Sequence, residues 1–401
     1  MLKGYKNASH LYSGAGVKAK DGRGILDSDI CEISNGAIVY DSESTKWFGS
    51  SDDIPLKYQS VDLVDLEKNS IILPSFIDCH THMVFSGDRS SEFSRRCSGA
   101  TYEEIAAEGG GIATTVESTR KTPQSVLTND CVERINESQS YGVRALEIKS
   151  GYGLSHESEI KCLEAILSAK KATPRMKIQS TYLGAHSVPV GVGKKDYIDE
   201  ILQRTLPEIA ERKLADACDV FVDKGYFDTS DARKILGKAR DLGLLIKLHG
   251  DELGNTESAE LAVELEALSV DHLLKVSANG IKKLSKSETV SVLLPGTAFY
   301  LKERYAPARD LIDSGAIVAV ATDFNPGSCM CNSLPVMMTL SALYMGMTRA
   351  EIFASVTYNA AKALGMQNEI GIIAVGGAPF FNILPFKRFE EVYYRFAWQP
   401  A

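Results

Sequence analysis

The sequence predicts an α/β protein: a closed (β/α)₈ TIM barrel with a small β-sandwich domain assembled from both chain ends. Three observations carry this. Short apolar runs alternate with stretches of helical spacing through the middle of the 401-residue chain. Most of the histidines stand at the ends of such runs. Both termini have a different, turn-punctuated β pattern.

The N-terminal part of the β domain is placed at 1–66. Its strands are expected at 30–33, 37–40 and 46–49, with Asn35-Gly36 as a hairpin signal between the first two. The barrel is placed at 67–365. It opens with an apolar run from Ile71, broken by Pro74 and Ser75, that ends in Ile77-Asp78-Cys79-His80-Thr81-His82. Alternate residues of an extended strand face one side, so His80 and His82 present two imidazoles to one point. Further runs follow at 145–148, 178–182, 219–222, 244–248, 268–270, 290–294 and 317–321. Helical patterns lie between them at 156–171, 197–213, 230–242 and 256–265. Strand–helix alternation implies parallel strands with right-handed crossovers, and eight units is the number that closes a barrel. The competing open sheet would need a Gly-x-Gly-x-x-Gly turn after its first strand; Gly109-Gly110-Gly111 instead follows a helical segment. The C-terminal part, 366–401, returns to strands at 371–373, 380–384 and 392–396.

Composition excludes several function classes. The net charge is -8, with 52 acidic and 44 basic side chains interspersed, so there is no basic stripe for nucleic acid. The longest uncharged stretch, 371–386, is short and interrupted by Gly and Pro, so no membrane span is expected. The eight cysteines lack zinc-ribbon spacing and the first residues lack an apolar signal core, which together predict free thiols in the cytoplasm. Cys329-Met330-Cys331 is read as a loop pair without a metal role.

In a barrel, chemistry gathers at the C-terminal ends of the strands. His80 and His82 end strand one, Lys149 follows strand two and His186 strand three. His249 ends strand five, His272 strand six and Asp323 strand eight. His80, His82, His249 and Asp323 offer three neutral nitrogens and a carboxylate, a donor set for one Zn²⁺ or Fe ion per chain. Such an ion leaves a position for water and lowers its pKa toward neutrality. His272 is placed to take or give a proton.

Taken together, Ile77 to His82, His249, His272 and Asp323 resemble the amidohydrolase superfamily. The resemblance narrows on longer stretches: Asp78 to Arg89, Gly109 to Ile112, Glu147 to Leu154, Leu183 to His186 and Thr322 to Ser328. These resemble one branch that opens the ring of 4-imidazolone-5-propanoate, over roughly residues 25–368. The resemblance implies a small-molecule substrate, imidazolone propionate, hydrolysed at its ring amide C–N bond to N-formimidoyl-L-glutamate. It also implies a homodimer. By motif, Arg89 would bind the propionate and Tyr152 and His186 would orient ring and carboxylate. Glu252 would bind the ring nitrogens or share proton transfer with His272 and Asp323, while Asn325, Gly327 and Ser328 would line the product end. Tyr102 is a weaker candidate. Which of His272, Asp323 and Glu252 is the base stays open.

Lys149 is weighed separately. A lysine carrying a metal-bridging carbamate would belong on strand four, and Lys149 stands beside strand two, so a single ion and a structural or substrate-orienting lysine are expected. The chain departs from the branch in reading His249-Gly250-Asp251 where an alanine is commoner, and in lacking an Asp after Gly376-Gly377. Two rival readings remain. A deaminase acting on a neutral ring would not need Arg89, and a barrel without catalysis would not need every ligand position and His272 filled.

Overall fold

The computed structural model describes residues 1–66, 69–100 and 110–399; Tyr102 and Gly109 lie outside the described residues. Eight parallel strands follow one another around the barrel in sequence order. They are β6 (Phe76–Asp78), β7 (Val143–Lys149), β8 (Lys177–Ala185), β9 (Ala217–Val222), β10 (Leu245–Gly250), β11 (Ser269–His272), β12 (Val290–Leu293) and β13 (Val318–Val320). Each expected run thus contributes a strand. Helices such as His156–Ala172 and Thr229–Asp241 cover the outside, turning Ile160, Leu163 and Ile166, and Ile235 and Leu236, into the core.

The seam between β6 and β13 decides where the site forms. Here the contacts lie beyond the two strands, at a parallel bridge between Thr81 and Phe324. His82 N donates to Phe324 O at 2.9 Å and Asp323 N to His80 O at 3.0 Å. Just below, the Asp78 carboxylate accepts from Thr322 N at 3.0 Å and from Thr322 Oγ1 at 2.6 Å. The barrel therefore closes through the residues that flank its candidate ligands.

The small domain draws on both chain ends. Among the described residues it is a single six-stranded sheet where the sequence suggested a sandwich, with β1 (Lys3–Tyr12), β2 (Glu32–Tyr40), β3 (Thr45–Ser50), β4 (Leu63–Asp65), β5 (Ile71–Pro74) and β14 (Phe381–Leu384). The apolar run at Ile71 is split between domains. Its first half, β5, pairs with β1 and β14, and only Phe76–Asp78 enters the barrel. The change from one sheet to the other falls at Ser75, beside Pro74, whose ring removes a backbone donor.

Four local expectations are corrected. Asn35-Gly36 is inside β2, where Gly36 pairs with Ala8 and Ser50. A Cβ on Gly36 would lie 2.6 Å from Leu11 Cβ, so close strand approach, not a turn, requires the glycine. The turn comes after Tyr40, where the Asp41 carboxylate accepts from the amides of Glu43 and Ser44. Residues 392–396 are not a strand; Glu391–Tyr394 is a short helix that buries Val392. Residues 371–373 lie outside the strands, with Ile373 N bonded to Ser13 O. The helix expected over 197–213 contains a wider turn at Ile201–Thr205, just before Pro207, whose nitrogen cannot donate. No described helix is long and apolar enough to cross a membrane.

Candidate active site

His80, His82, His249 and Asp323 converge above the barrel, all of them buried. His82 Nε2 lies 3.2 Å from His80 Nε2 and 3.4 Å from His249 Nε2. Asp323 Oδ1 lies 3.3 Å from both His80 Nε2 and His82 Nε2. Donors bound tetrahedrally at zinc–nitrogen lengths sit about 3.4 Å apart, a spacing that His80, His82 and Asp323 show among themselves and that His249 shows from His82.

The far side of two rings is fixed from below. His80 Nδ1 is 2.6 Å from Asp271 Oδ2, and His249 Nδ1 is 2.9 Å from Asp219 Oδ2. A carboxylate at Nδ1 keeps a proton there and leaves the Nε2 lone pair free. Thr297 Oγ1 donates to Asp323 Oδ2 at 2.5 Å, which turns Oδ1 toward the histidines. Asp323 is itself in the left-handed backbone region, φ 50°, as is His272, φ 82°.

The charges ask for a cation. Burial and the Lys149 charge oppose protonation of His80, yet Asp271 and Asp323 lift its pKa to about 9. Burial also opposes ionisation of Asp323, but its bonds to His80 and His82 hold it well below the usual carboxylate range. The buried side chains linked to the three ligating rings are Lys149, Lys247, Glu147, Asp219, Asp271 and Asp323. Carboxylates outnumber ammonium groups in this buried set, which favours a cation among the rings. These residues fit a metal, and uncompensated buried charge is costly enough to make the fit informative.

A cavity of about 800 Å³ opens above this cluster, large enough for a small heterocycle with a side chain. Arg89, Tyr152, His186, Asn325, Gly327 and Ser328 all line it, with Glu252 and His272. The His186 ring stacks on His82, with centroids 5.4 Å apart, and its Nδ1 lies 3.0 Å from Gly151 O. Tyr152 is 5.5 Å from His186, centroid to centroid. His272 Nδ1 is 3.6 Å from Glu252 Oε2. Burial lowers the His272 pKa, with Glu252 and Asp323 opposing, and burial raises that of Glu252.

Asn325 and Lys149 spend their polar groups on the protein itself. Asn325 spends its amide on its own loop: Nδ2 donates to Asp323 O and Ser328 Oγ, while Oδ1 accepts from Gly327 N and Ser328 N. It shapes the cavity wall as a turn residue. Lys149 does not reach the cavity; it lies beneath the ligands, fully buried among carboxylates. Sequence reasoning misses several contributors. Asp219 and Asp271 are single acidic residues inside apolar strands, and that placement is the only signal they offer. Thr297 and Glu92 offer none. Glu92 accepts from Arg89 Nε at 2.8 Å and from Gly111 N at 3.0 Å, anchoring the arginine to the cavity rim.

A parallel barrel with an imidazole and carboxylate cluster on its rim defines a class. The amidohydrolase family model matches residues 71–393, and the chain belongs to that family. Solved structures share the fold. A triazine hydrolase variant superposes with TM-score 0.74 at 14% identity, covering 97% of this chain and 88% of that one. A 5-methylcytosine deaminase from Klebsiella pneumoniae does so with TM-score 0.73 at 15% identity, covering 98% and 94%. Within the family, the chain belongs with the imidazolonepropionases. It is 40% identical to that of Clostridium tetani, over 97% of this chain and 93% of the relative. It is 39% identical to that of Bdellovibrio bacteriovorus, over 92% and 88%.

Proposed function

We propose that this chain is a metal-dependent hydrolase that opens the ring amide of 4-imidazolone-5-propanoate to N-formimidoyl-L-glutamate, a step of L-histidine degradation. The observation that carries this reading is the cluster of three Nε2 atoms and Asp323 Oδ1, with His82 Nε2 within 3.4 Å of the other three, beneath a cavity walled by Arg89. One Zn²⁺ or Fe²⁺ held by His80, His82, His249 and Asp323 would polarise the ring carbonyl and make water acidic near neutral pH.

The remaining work falls to the chain's own groups. Water adds its oxygen to the ring carbonyl carbon, the C–N bond breaks, and the nitrogen leaves with a proton. Asp323, pinned through Oδ2 by Thr297, is oriented to receive the proton of the attacking water. Burial raises the pKa of Glu252, which suits it to hold a proton for the leaving nitrogen, with His272 beside it as relay. Arg89 meets the propionate with its planar fork, for which a guanidinium is apt. Tyr152 and His186 hold the ring, and Gly327 and Ser328 border the product. The chain acts as a homodimer, as the family resemblance implies, and in the cytoplasm, as its free cysteines suggest.

The test is consumption of 4-imidazolone-5-propanoate followed spectroscopically. Activity should vanish after chelation and return on adding zinc or ferrous ion. Undiminished turnover in excess chelator, with metal absent by elemental analysis, would overturn the reading.

A further inference from the structure

Below the ligand cluster the barrel interior is ionic where barrels are usually apolar. Lys149 Nζ lies 2.6 Å from Asp219 Oδ2, 2.9 Å from Glu147 Oε2 and 3.6 Å from Asp271 Oδ2. All four side chains have no solvent exposure. Two of those oxygens are the same atoms that face the ligating rings: Asp219 Oδ2 meets His249 Nδ1 and Asp271 Oδ2 meets His80 Nδ1. One ammonium therefore sits at the fork of two carboxylate–histidine pairs, on ligands contributed by opposite sides of the barrel.

We propose that Lys149 is the positioning residue of the metal centre: its ammonium fixes Asp219 and Asp271 so that His249 and His80 aim their Nε2 atoms at one point. The inference rests on the metal assignment made above. A carboxylate carbon can rotate about its bond to the chain, and an imidazole follows its Nδ1 partner. Ser269 Oγ donates to Asp271 Oδ1 at 2.6 Å and His249 N to Asp219 Oδ1 at 3.1 Å, so without the ammonium each acid keeps one anchor, but the Oδ2 atom that faces its ring loses its cationic partner. Lys247 also favours ionised Asp271 by its charge, but Lys149 is the lysine in contact with both Oδ2 atoms. Lys247 Nζ bonds Glu147 Oε2 at 2.7 Å and Cys79 O at 3.1 Å, away from the two oxygens shared with the rings. A carbamate on Lys149, the alternative chemistry for such a lysine, would add a fourth anion to three carboxylates, which the site disfavours.

The experiment compares metal-free wild type and Lys149→Met by zinc titration against a chromophoric chelator, with folding followed by circular dichroism. Removing a group that orients ligands typically weakens metal binding about 10–100-fold, and that loss is expected here. Cobalt loaded into the variant should also show an altered visible spectrum, which a merely structural role would leave unchanged. A folded variant with zinc affinity within about twofold of wild type, a margin too small for lost ligand orientation, overturns the proposal. If Lys149→Met does not fold, Asp219→Asn keeps the shape and tests the same linkage. About tenfold weaker zinc binding supports the proposal, and wild-type affinity overturns it. Wild-type protein that binds no zinc would instead sink the metal assignment, so the two failures are separable.

Discussion

At the scale of single residues, the site depends on how each side chain is held as much as on what it is. Arg89 is aimed by Glu92 through Nε, which leaves the outer nitrogens toward Gly327 and the cavity. Replacing Arg89 by Met removes a charged bond worth roughly 1.5–3 kcal/mol, so KM for 4-imidazolone-5-propanoate should rise about 10–100-fold. An unchanged KM sinks the clamp. Gly327 makes the same point from the other side. A Cβ there would lie 2.2 Å from Arg89 Nη1, so Gly327→Ala must displace the guanidinium and should raise KM with less change in kcat. Steady-state kinetics with wild-type KM in Gly327→Ala would show that Arg89 does not need its present position. The convergence of His80, His82, His249 and Asp323 was legible in the sequence because strand alternation and strand ends fix where side chains point. The roles of Lys149, Asp219 and Asp271 were not, because a buried charge looks the same in sequence as an exposed one until its partners are known.

At the scale of elements, the seam between β6 and β13 joins the histidine pair to Asp323. Asp78 holds this seam through Thr322, and it is wholly buried. Burial raises its pKa to about 6 from an ordinary 3.8, with the Thr322 bonds and His80 opposing. The folded chain then binds this proton more tightly than the unfolded one. Stability from Asp78 is therefore present at low pH and declines as pH rises from about 4 to about 6. The full swing is on the order of 3 kcal/mol. Asp78→Asn keeps an uncharged group at all pH values, so relative to wild type its stability should gain across that window. Urea unfolding of the metal-free proteins at several pH values measures this, and parallel curves would contradict it. The strands of the barrel were legible because each is an apolar run between helical patterns. Asn35-Gly36 misled because glycine serves close strand approach as well as turns. Residues 391–394 misled because Val392 and its aromatic neighbours suit a strand by propensity, whereas packing of Val392 against the core decides for a helical turn.

At the scale of the whole molecule, fold and chemistry are tied by charge. Buried carboxylates outnumber lysines beneath the three imidazoles, and on the proposed reading a bound metal ion meets that excess. Removing the ion should lower the melting temperature as well as abolish turnover, since the metal binds the folded chain alone. A melting temperature unaffected by chelation would argue that the buried charges are balanced without it. The small sheet was expected from the β character of both termini, but the division of the run at Ile71 between two sheets was not. A proline inside an apolar run marks a break without saying which sheet each half joins.

On the proposed function, a single ion at His80, His82, His249 and Asp323 makes this barrel an enzyme. Its most direct test is titration of metal-free protein with zinc while turnover of 4-imidazolone-5-propanoate is followed. Activity should climb in proportion to added zinc and stop at one ion per chain. Activity that ignores the added zinc, or that climbs until two ions are bound, would contradict the account.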